Sequence, residues 1–224
     1  MKKQLFKAGM AACLLVAGCS LGGSSDSGAG SPEIHDVAVL TGWHEGHEYV
    51  DLGLSVMWAT CNVGASSPTE TGLHFAWKEI KEKERYTYDN YYSYYSYSYY
   101  SYRDHNDYET ANRLWSGNWR MPTPAEMREL INNCSIEKTV SEGKAGYCFT
   151  SKRNGGTIFF PIDSARHDDL PNGAYDYAYW SSNPSRFGDD APTAYALWFD
   201  ETGIQVSRWP RHNGLPVRPV FGVE

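Results

Sequence analysis

The chain has 224 residues, a formal net charge of −7, eight Trp and seventeen Tyr. The acidic balance argues against nucleic-acid binding, which requires a basic face. Scattered Gly and Pro indicate many turns, as in a mostly β or α+β domain.

The N-terminus has the pattern of a lipoprotein signal peptide. Three Lys among the first seven residues precede an apolar or small run over residues 8–18, which leads directly to Cys19. That run is shorter than the ~20 residues of a membrane-spanning helix and fits a secretory signal. We therefore predict cleavage of residues 1–18 and anchoring in a lipid bilayer through an acylated Cys19. Because the removed segment holds three Lys and no acidic residue, the net charge becomes −10.

Residues 19–45 are predicted to be a flexible tether, because their Gly- and Ser-rich first half has nothing to bury. Ser20 follows the lipidated residue where Asp would favour retention at the inner membrane. We therefore expect an outer-membrane lipoprotein, with its domain in the periplasm or exposed on the cell surface.

The first part of the domain is predicted to contain two strand regions, at residues 49–63 and 73–77. A turn-rich loop over residues 64–71 separates them. Residues 78–85 are mostly charged and are expected to be solvated.

One helix has a clear start signal. Thr123-Pro124-Ala125-Glu126 forms a capping-box sequence with Pro at the first helical position. Met127, Leu130 and Ile131 then share one face. Asn132-Asn133 is predicted to end the helix, and the apolar face is expected to pack on a sheet.

The C-terminal half is predicted to consist mainly of hairpins. The best one spans residues 146–161 and turns at Asn154-Gly155-Gly156, whose glycines supply positive φ angles. A polar loop and further strands follow, at 162–176, 177–182, 194–199, 204–208 and 215–221. Prolines favour an edge position for the last strand. Strands, one helix and a run of antiparallel strands together predict the α+β class.

Five motifs in order resemble the Fibrobacter succinogenes major paralogous (FISUMP) domain. They are Gly46 to Ala65, Phe75-Ala76-Trp77, Trp119 to Thr123, Tyr179 to Ser182 and Val217 to Val220. The resemblance covers residues 46–222, with a Tyr/Ser-rich insertion at 86–102. It implies a C-type-lectin-like fold similar to the sulfatase-modifying-factor group, with one main helix, antiparallel strands, neighbouring termini and long loops. It implies no activity, because fold alone does not assign function. Lys78-Glu79-Ile80 departs from the acidic turn usual in the family.

Three cysteines remain after Cys19, which allows one disulfide in an oxidising compartment. The resemblance makes Cys61 and Cys134 familiar family positions, so we predict that they pair. Cys148 lies in the middle of a predicted strand and is expected to be a buried thiol. The alternative is three reduced thiols.

A run of Tyr and Ser alone over residues 91–102 is the first candidate for ligand binding. Tyr offers a large contact surface with few torsions to freeze, and Ser offers adaptable hydrogen bonds, as in antibody paratopes. We predict a loop that binds a glycan or a protein. The alternative is a repeat expansion that is disordered or packs on the domain. The candidate residues are Tyr91, Tyr92, Tyr94, Tyr95, Tyr97, Tyr99 and Tyr100.

The loops at residues 183–191 and 209–213 are the second candidate, because they carry polar and aromatic residues between well-patterned strands. The corresponding end of C-type-lectin-like proteins commonly displays ligand. Ordinary polar turns are the alternative. The candidate residues are Asn183, Arg186, Asp189, Asp190, Trp209, Arg211 and Asn213.

No metal and no cofactor are predicted. The segment His44 to Glu48 lacks the HExxH spacing of zinc proteases, and Gly46 disfavours a helix there. The acidic pairs at 168–169, 189–190 and 200–201 could offer oxygen ligands to calcium, but the triplets typical of lectins do not accompany them. We expect these acids to be solvated turn residues.

No enzymatic activity is predicted. The chain contains no Gly-x-Ser-x-Gly elbow and no phosphate-binding loop. The formylglycine-generating relatives of the implied fold use a late cysteine pair, whereas this chain has no Cys after Cys148. A non-catalytic recognition or adhesion module of the bacterial envelope is therefore the leading hypothesis. A structural subunit of an envelope or fimbrial assembly is second, and an enzyme related to the sulfatase-modifying-factor group is third.

Overall fold

Antiparallel strands dominate the computed structural model, which describes residues 40–92, 109–162, 177–185, 192–200 and 203–222. Within these ranges the chain forms ten strands and three helices, none of the helices being both long and apolar enough to cross a membrane. Mainly antiparallel sheets with few helices agree with an α+β or mostly β fold. The predicted signal peptide and Cys19 lie outside the described residues.

The first sheet has the strand order β1-β2-β3-β10 and is antiparallel throughout. Its strands are β1 (Thr41–His44), β2 (His47–Val50), β3 (Val56–Ala59) and β10 (Val220–Gly222). The β1–β2 turn has positive φ at both Glu45 and Gly46, as the common two-residue hairpin turn requires. Because β1 lies in the predicted tether, the folded part begins before residue 46.

Two strand predictions near this sheet are wrong in part. Residues 73–77 form no strand and contribute one isolated bridge, from Phe75 to Leu215. The last strand is shorter than predicted, although it does lie at the sheet edge. Pro216 and Pro219 explain the short strand, because a proline has no N–H to donate to a neighbouring strand.

The second sheet has the order β4-β5-β6, and its β5–β6 hairpin confirms the prediction for residues 146–161. Its strands are β4 (Cys134–Ser141), β5 (Lys144–Ser151) and β6 (Thr157–Pro161). Strand β4, which follows the main helix without a connecting loop, was not predicted from the sequence. The turn at Glu142-Gly143, with positive φ at both residues, was the available signal.

The third sheet has the order β7-β8-β9 and lies between two hydrophobic clusters. Its strands, β7 (Tyr177–Ser185), β8 (Thr193–Asp200) and β9 (Gly203–Pro210), confirm the predicted elements. Trp180 and Ala196 pack in one cluster, whereas Tyr179 and Leu197 pack in the other. Successive residues of a strand point to opposite faces, so both faces of this sheet are buried.

The helices are α1 (Tyr88–Tyr92), α2 (Thr110–Leu114) and α3 (Pro124–Asn133). Helix α3 confirms the predicted capping box. The hydroxyl of Thr123 accepts from the N–H of Glu126 at 3.2 Å, and the Glu126 carboxylate accepts from the N–H of Thr123 at 2.7 Å. Met127 and Leu130 are buried in the cluster that contains Tyr179, as the predicted apolar face requires.

A fully buried Arg218 joins distant parts of the fold. Its guanidinium donates to the side chain of Asn62 at 2.6 Å and to three backbone carbonyls, those of Ala59, Thr60 and Phe159. It also lies 4.7 Å above the ring centre of Phe160. Burial lowers the pKa of Arg218. The hydrogen bonds connect the first and second sheets through one charged side chain.

Candidate functional site

The candidate site is built around the fully buried indole of Trp77. Its Nε1–H donates to the carbonyl of Ser181 at 2.8 Å, and its backbone N–H donates to the carbonyl of Arg211 at 2.9 Å. The guanidinium of Arg211 lies 4.3 Å from the indole ring centre, and the ammonium of Lys78 lies 4.7 Å from it. A cation over a desolvated indole is a favourable contact. We call Trp77, Lys78 and Arg211 the Trp77 cluster.

Arg211 connects the Trp77 cluster to the ends of the predicted loop at 183–191. Its Nε–H donates to the carbonyl of Thr193 at 3.0 Å, and its backbone N–H donates to the carbonyl of Pro192 at 3.1 Å. The hydroxyl of Thr193 in turn donates to the carbonyl of Ser185 at 3.2 Å. Residues on both sides of 186–191 are therefore held next to the Trp77 cluster.

The start of the Tyr/Ser run reaches the same cluster through Tyr91. This side chain is buried with Ala76 and Tyr86, and its hydroxyl donates to the carbonyl of Trp77 at 3.3 Å. Tyr88, in the same helix, is 46% exposed and has its ring edge-on to that of His212 at 5.9 Å. The first residue of the Tyr/Ser run therefore lies beside Trp77.

Glu109 and Thr110, the first described residues after residue 92, are also buried. The carboxylate of Glu109 accepts from the N–H of Met121 at 2.6 Å, and the hydroxyl of Thr110 donates to the carbonyl of Glu79 at 2.7 Å. Desolvation raises the pKa of Glu109 to about 7, opposed by the Met121 N–H and by the positive charge of Lys78. The hydrogen bond to Glu79 and the charge interaction with Lys78 bring the start of α2 close to the Trp77 cluster.

The structure therefore brings to one cluster described residues from both of the predicted segments, 91–102 and 183–191. Tyr91 and Thr110 lie on either side of 93–108, and Ser185 and Thr193 lie on either side of 186–191. All four bounding residues connect to the Trp77 cluster directly or through one neighbour. Of the predicted contact residues in described parts, Asn183 on β7 is exposed.

Four residues predicted to contact ligand are buried in the structure. Trp209 packs in the core beside Trp198, and the N–H of Asn213 donates to the carbonyl of Pro210 in a turn. Arg211 and Tyr91 contact Trp77 from inside the domain.

For the remaining residues predicted to bind ligand, the structure gives no side-chain contacts. Tyr92 is the last residue of α1. The others lie outside the described residues: Tyr94, Tyr95, Tyr97, Tyr99, Tyr100, Arg186, Asp189 and Asp190.

The prediction that residues 78–85 are solvated is wrong at its first two positions. Lys78 is 4% exposed and has a positive φ of 62°, and Glu79 is also buried. Both carboxylate oxygens of Glu79 lie 2.9 Å from the ammonium of Lys83. A charged sequence normally indicates a solvated surface, so no local pattern identified these two residues.

The histidines of the His44 to Glu48 segment pack against aromatic rings. Across the β1–β2 turn, the ring of His44 stacks on Phe221 at 4.2 Å and the ring of His47 stacks on Trp115 at 3.5 Å. Burial lowers the pKa of His47. In the ranges that the structure covers, no three His, Cys, Asp or Glu side chains are grouped to hold a metal ion.

The structure does not contain the predicted disulfide: Cys61 and Cys134 are both free thiols in it. Cys61 is half-buried and lies close to Thr60 and the charge of Arg218, whereas Cys134 packs in the core near Lys152. Burial raises the pKa of both thiols, that of Cys134 to about 11.

Comparison with protein-family models, curated proteins and solved structures gives no match for this chain. The resemblance to the FISUMP domain therefore stays a prediction based on the five motifs.

Proposed function

We propose that this chain is a membrane-anchored, non-catalytic recognition module that binds a glycan or a protein over the Trp77 cluster. The observation that carries the proposal is that described residues on either side of 93–108 and of 186–191 contact this cluster directly or through one neighbour. Loops that carry binding residues are commonly positioned by a rigid scaffold. Here Trp77 and Arg211 provide that scaffold through contacts that are fully desolvated.

Two exposed described residues near this scaffold suit such a ligand. Tyr88 presents aromatic surface beside the ring of His212, and Asn183 presents an amide. The Tyr side chains of the sequence from 94 to 100 would add further aromatic faces and hydroxyl groups. Aromatic rings and amides together suit both sugar rings and protein surfaces.

A C-type-lectin-like fold of the FISUMP type is part of the same proposal. Three features support it: a single capped main helix, three antiparallel sheets, and first and last described strands that share one sheet. Long irregular connections at residues 60–87 and 115–123 add to the likeness. Binding surfaces in this kind of fold are carried by loops.

We also propose that an acylated Cys19 anchors the chain in the bacterial outer membrane. It is supported by the basic start, the short apolar run and the small residues before Cys19. Metabolic labelling of the full chain with a palmitate analogue tests it. We expect labelling of the wild type and loss of label in Cys19→Ser, with Cys13→Ser as the matched control.

Binding is tested with the domain lacking residues 1–19, on a glycan array and in pull-downs from host and matrix extracts. We expect capture of a ligand by the wild type. Replacement of Tyr94, Tyr95, Tyr97, Tyr99 and Tyr100 by Ser should reduce the captured amount at least about tenfold, since a few aromatic contacts dominate most binding surfaces. Trp43→Ser is the control, because Trp43 is 73% exposed in β1 and lies outside the Trp77 cluster.

Two results would contradict this proposal. The first is capture of no ligand in either assay. The second is equal binding by the five-Tyr variant and the Trp43→Ser control. Stoichiometric co-purification of envelope subunits with the full chain would instead identify a structural subunit.

A further inference from the structure

Strand β4 is a long edge strand without the usual protection against pairing. Among the described strands only β5 pairs with it, and it has eight residues and no proline. The other edge strands of the described sheets differ: β1 and β10 have four residues or fewer, and β6, β7 and β9 each contain a proline. Short strands and prolines are common means of preventing an edge from pairing with another chain. β4 has neither.

The backbone groups of alternate β4 residues point away from β5. The N–H of Lys152 donates to the carbonyl of Asn133 at 2.9 Å at the start of the β4–β5 ladder. Because bonded and non-bonded pairs alternate along an antiparallel ladder, the odd-numbered residues of 135–141 bond to β5. The backbone N–H and C=O groups therefore face outward, with no hydrogen bond to another described residue, at Ile136, Lys138 and Val140.

The charges of β4 favour one register for pairing with a second copy of the same strand. Centring an antiparallel pair on Glu137 or on Lys138 places two like charges directly opposite each other, which is destabilising. Centring it on Thr139 places two threonines opposite each other, which is favourable, and Lys138 opposite Val140 of the second copy. Lys138 then becomes the diagonal neighbour of Glu142 of the second copy, an opposite charge.

We propose that β4 is a dimerisation edge, which pairs antiparallel with β4 of a second copy in the register centred on Thr139. The pairing joins two three-stranded sheets into one continuous sheet. Lys138 and Val140 exchange both of their backbone hydrogen bonds with the residues opposite, and the 67% exposed side chain of Val140 loses contact with water. Because a single strand edge buries much less area than a standard interface, the dimer is a weak one that forms at high local concentration.

Cysteine cross-linking identifies the register directly. Residues that face each other in a non-hydrogen-bonded antiparallel pair have Cα atoms about 4.5 Å apart, a separation that a disulfide can span. The full chain, purified in detergent and carrying Ser at Cys13, Cys19 and Cys61, receives one new cysteine and is treated with oxidised glutathione. We expect Thr139→Cys to form a covalent dimer, with the linked peptide identified by mass spectrometry.

Ser135→Cys and Glu137→Cys are the matched controls on the same face of β4. Both of these positions are exposed, whereas Thr139 is half-buried, so exposure alone would favour reaction of the controls. We expect the Thr139→Cys dimer to form at least about tenfold faster than either control, because only residue 139 faces its own counterpart in the proposed register.

A second variant removes the edge and leaves the hairpin in place. In the Thr139→Cys chain, Lys138→Pro deletes an outward N–H, whereas the bonds to β5 belong to the neighbouring residues. Cross-linking should fall at least about tenfold, since two hydrogen bonds of the symmetric pair are lost. Lys138→Thr, which keeps the N–H, should stay within about threefold of its parent. Unchanged hydrogen exchange at the amides of Ser141 and Gly146 would show that the hairpin is intact.

Four outcomes would overturn the inference. Cross-linking could proceed equally fast at the three positions, or fastest at Glu137→Cys, which would indicate a different register. Lys138→Pro could leave the rate unchanged with the hairpin intact. In cell membranes, Thr139→Cys could link to a different protein instead of a second copy, which would assign the edge to another partner. If Lys138→Pro does not fold, the comparison of the three cysteine positions decides by itself.

Discussion

Arg211 and Trp77 contact each other in two ways. The guanidinium of Arg211 lies 4.3 Å from the centre of the Trp77 indole ring, and the backbone N–H of Trp77 donates to the backbone carbonyl of Arg211. The two residues are 134 positions apart in the chain. Because Arg211 also donates to Thr193, this one side chain joins β8 to the segment that precedes the Tyr/Ser run.

Arg211→Met should therefore destabilise the domain by roughly 2 kcal/mol, because it removes a desolvated cation–π contact and a hydrogen bond. Arg211→Lys should restore only part of that stability, since an ammonium cannot reproduce the fork of a guanidinium. Urea unfolding measures the effect, with the exposed Lys144→Met as control. Wild-type stability in Arg211→Met would contradict the structural role of this pair.

Arg218 should tolerate no substitution, including Lys. Its removal leaves the Asn62 amide oxygen and three carbonyls without their donor in the interior. Breaking such a buried charged network costs about 3–5 kcal/mol, which is a large fraction of a typical domain stability. We expect Arg218→Lys and Arg218→Met to unfold at much lower urea concentrations, or to accumulate as insoluble protein. Asn62→Ala, which removes one of the four acceptors, should lower the free energy of unfolding by less. An Arg218→Lys variant as stable as the wild type would argue against this role of Arg218.

Glu109 should make the domain less stable as the pH rises. Its carboxyl has a pKa of about 7 in the folded chain against 4.5 ordinarily, so between these values the folded state keeps a proton that the unfolded state has lost. Stability therefore falls from about pH 4.5 to about pH 7 and levels off above, a loss on the order of 3 kcal/mol.

Glu109→Gln should remove this dependence and unfold later than the wild type at pH 8, because an amide carries no charge to desolvate. Urea unfolding at pH 5, 6, 7 and 8 measures it. Glu137→Gln, at an exposed position of β4, should keep the wild-type slope. Parallel slopes for the wild type and Glu109→Gln would show that this carboxyl does not titrate differently in the folded state.

The thiols should remain reduced in the native domain. Cys134 should resist alkylation, because it is buried and its pKa is raised to about 11, whereas half-buried Cys61 should react faster. Peptide mapping of non-reduced protein should detect no Cys61–Cys134 pair, and a reductant should leave the melting temperature unchanged. Detection of that linked peptide pair would reinstate the predicted disulfide.

Sequence patterns predicted the elements whose signals are local. The capping box of Thr123 and Glu126 and the turn at Asn154-Gly155-Gly156 each involve residues within a few positions of each other. Strand alternation predicted β7, β8 and β9 for the same reason. Residues 73–77 were predicted as a strand but form only the isolated bridge between Phe75 and Leu215. Apolar composition does not reveal how many backbone hydrogen-bond partners a segment finds.

The candidate site could be predicted only as two separate segments. Asn183 is exposed, whereas Trp209, Arg211 and Asn213 are buried. The sequence does not separate these cases, because ligand-binding loops and buried polar contacts share a polar and aromatic composition. Lys78 and Glu79 were missed because a charged residue is normally solvated unless a distant partner is present.

By itself, the sequence determined the capped helix, the hairpins and the acidic, aromatic-rich composition, since each depends on residues near one another in the chain. Tertiary structure alone decided that Trp77 and Arg211 meet, and that Tyr91 and Thr193 contact them from the two candidate segments. It also decided that Cys61 and Cys134 lie in different surroundings. These relationships join residues many positions apart, and the close packing of both faces of the third sheet brings them together.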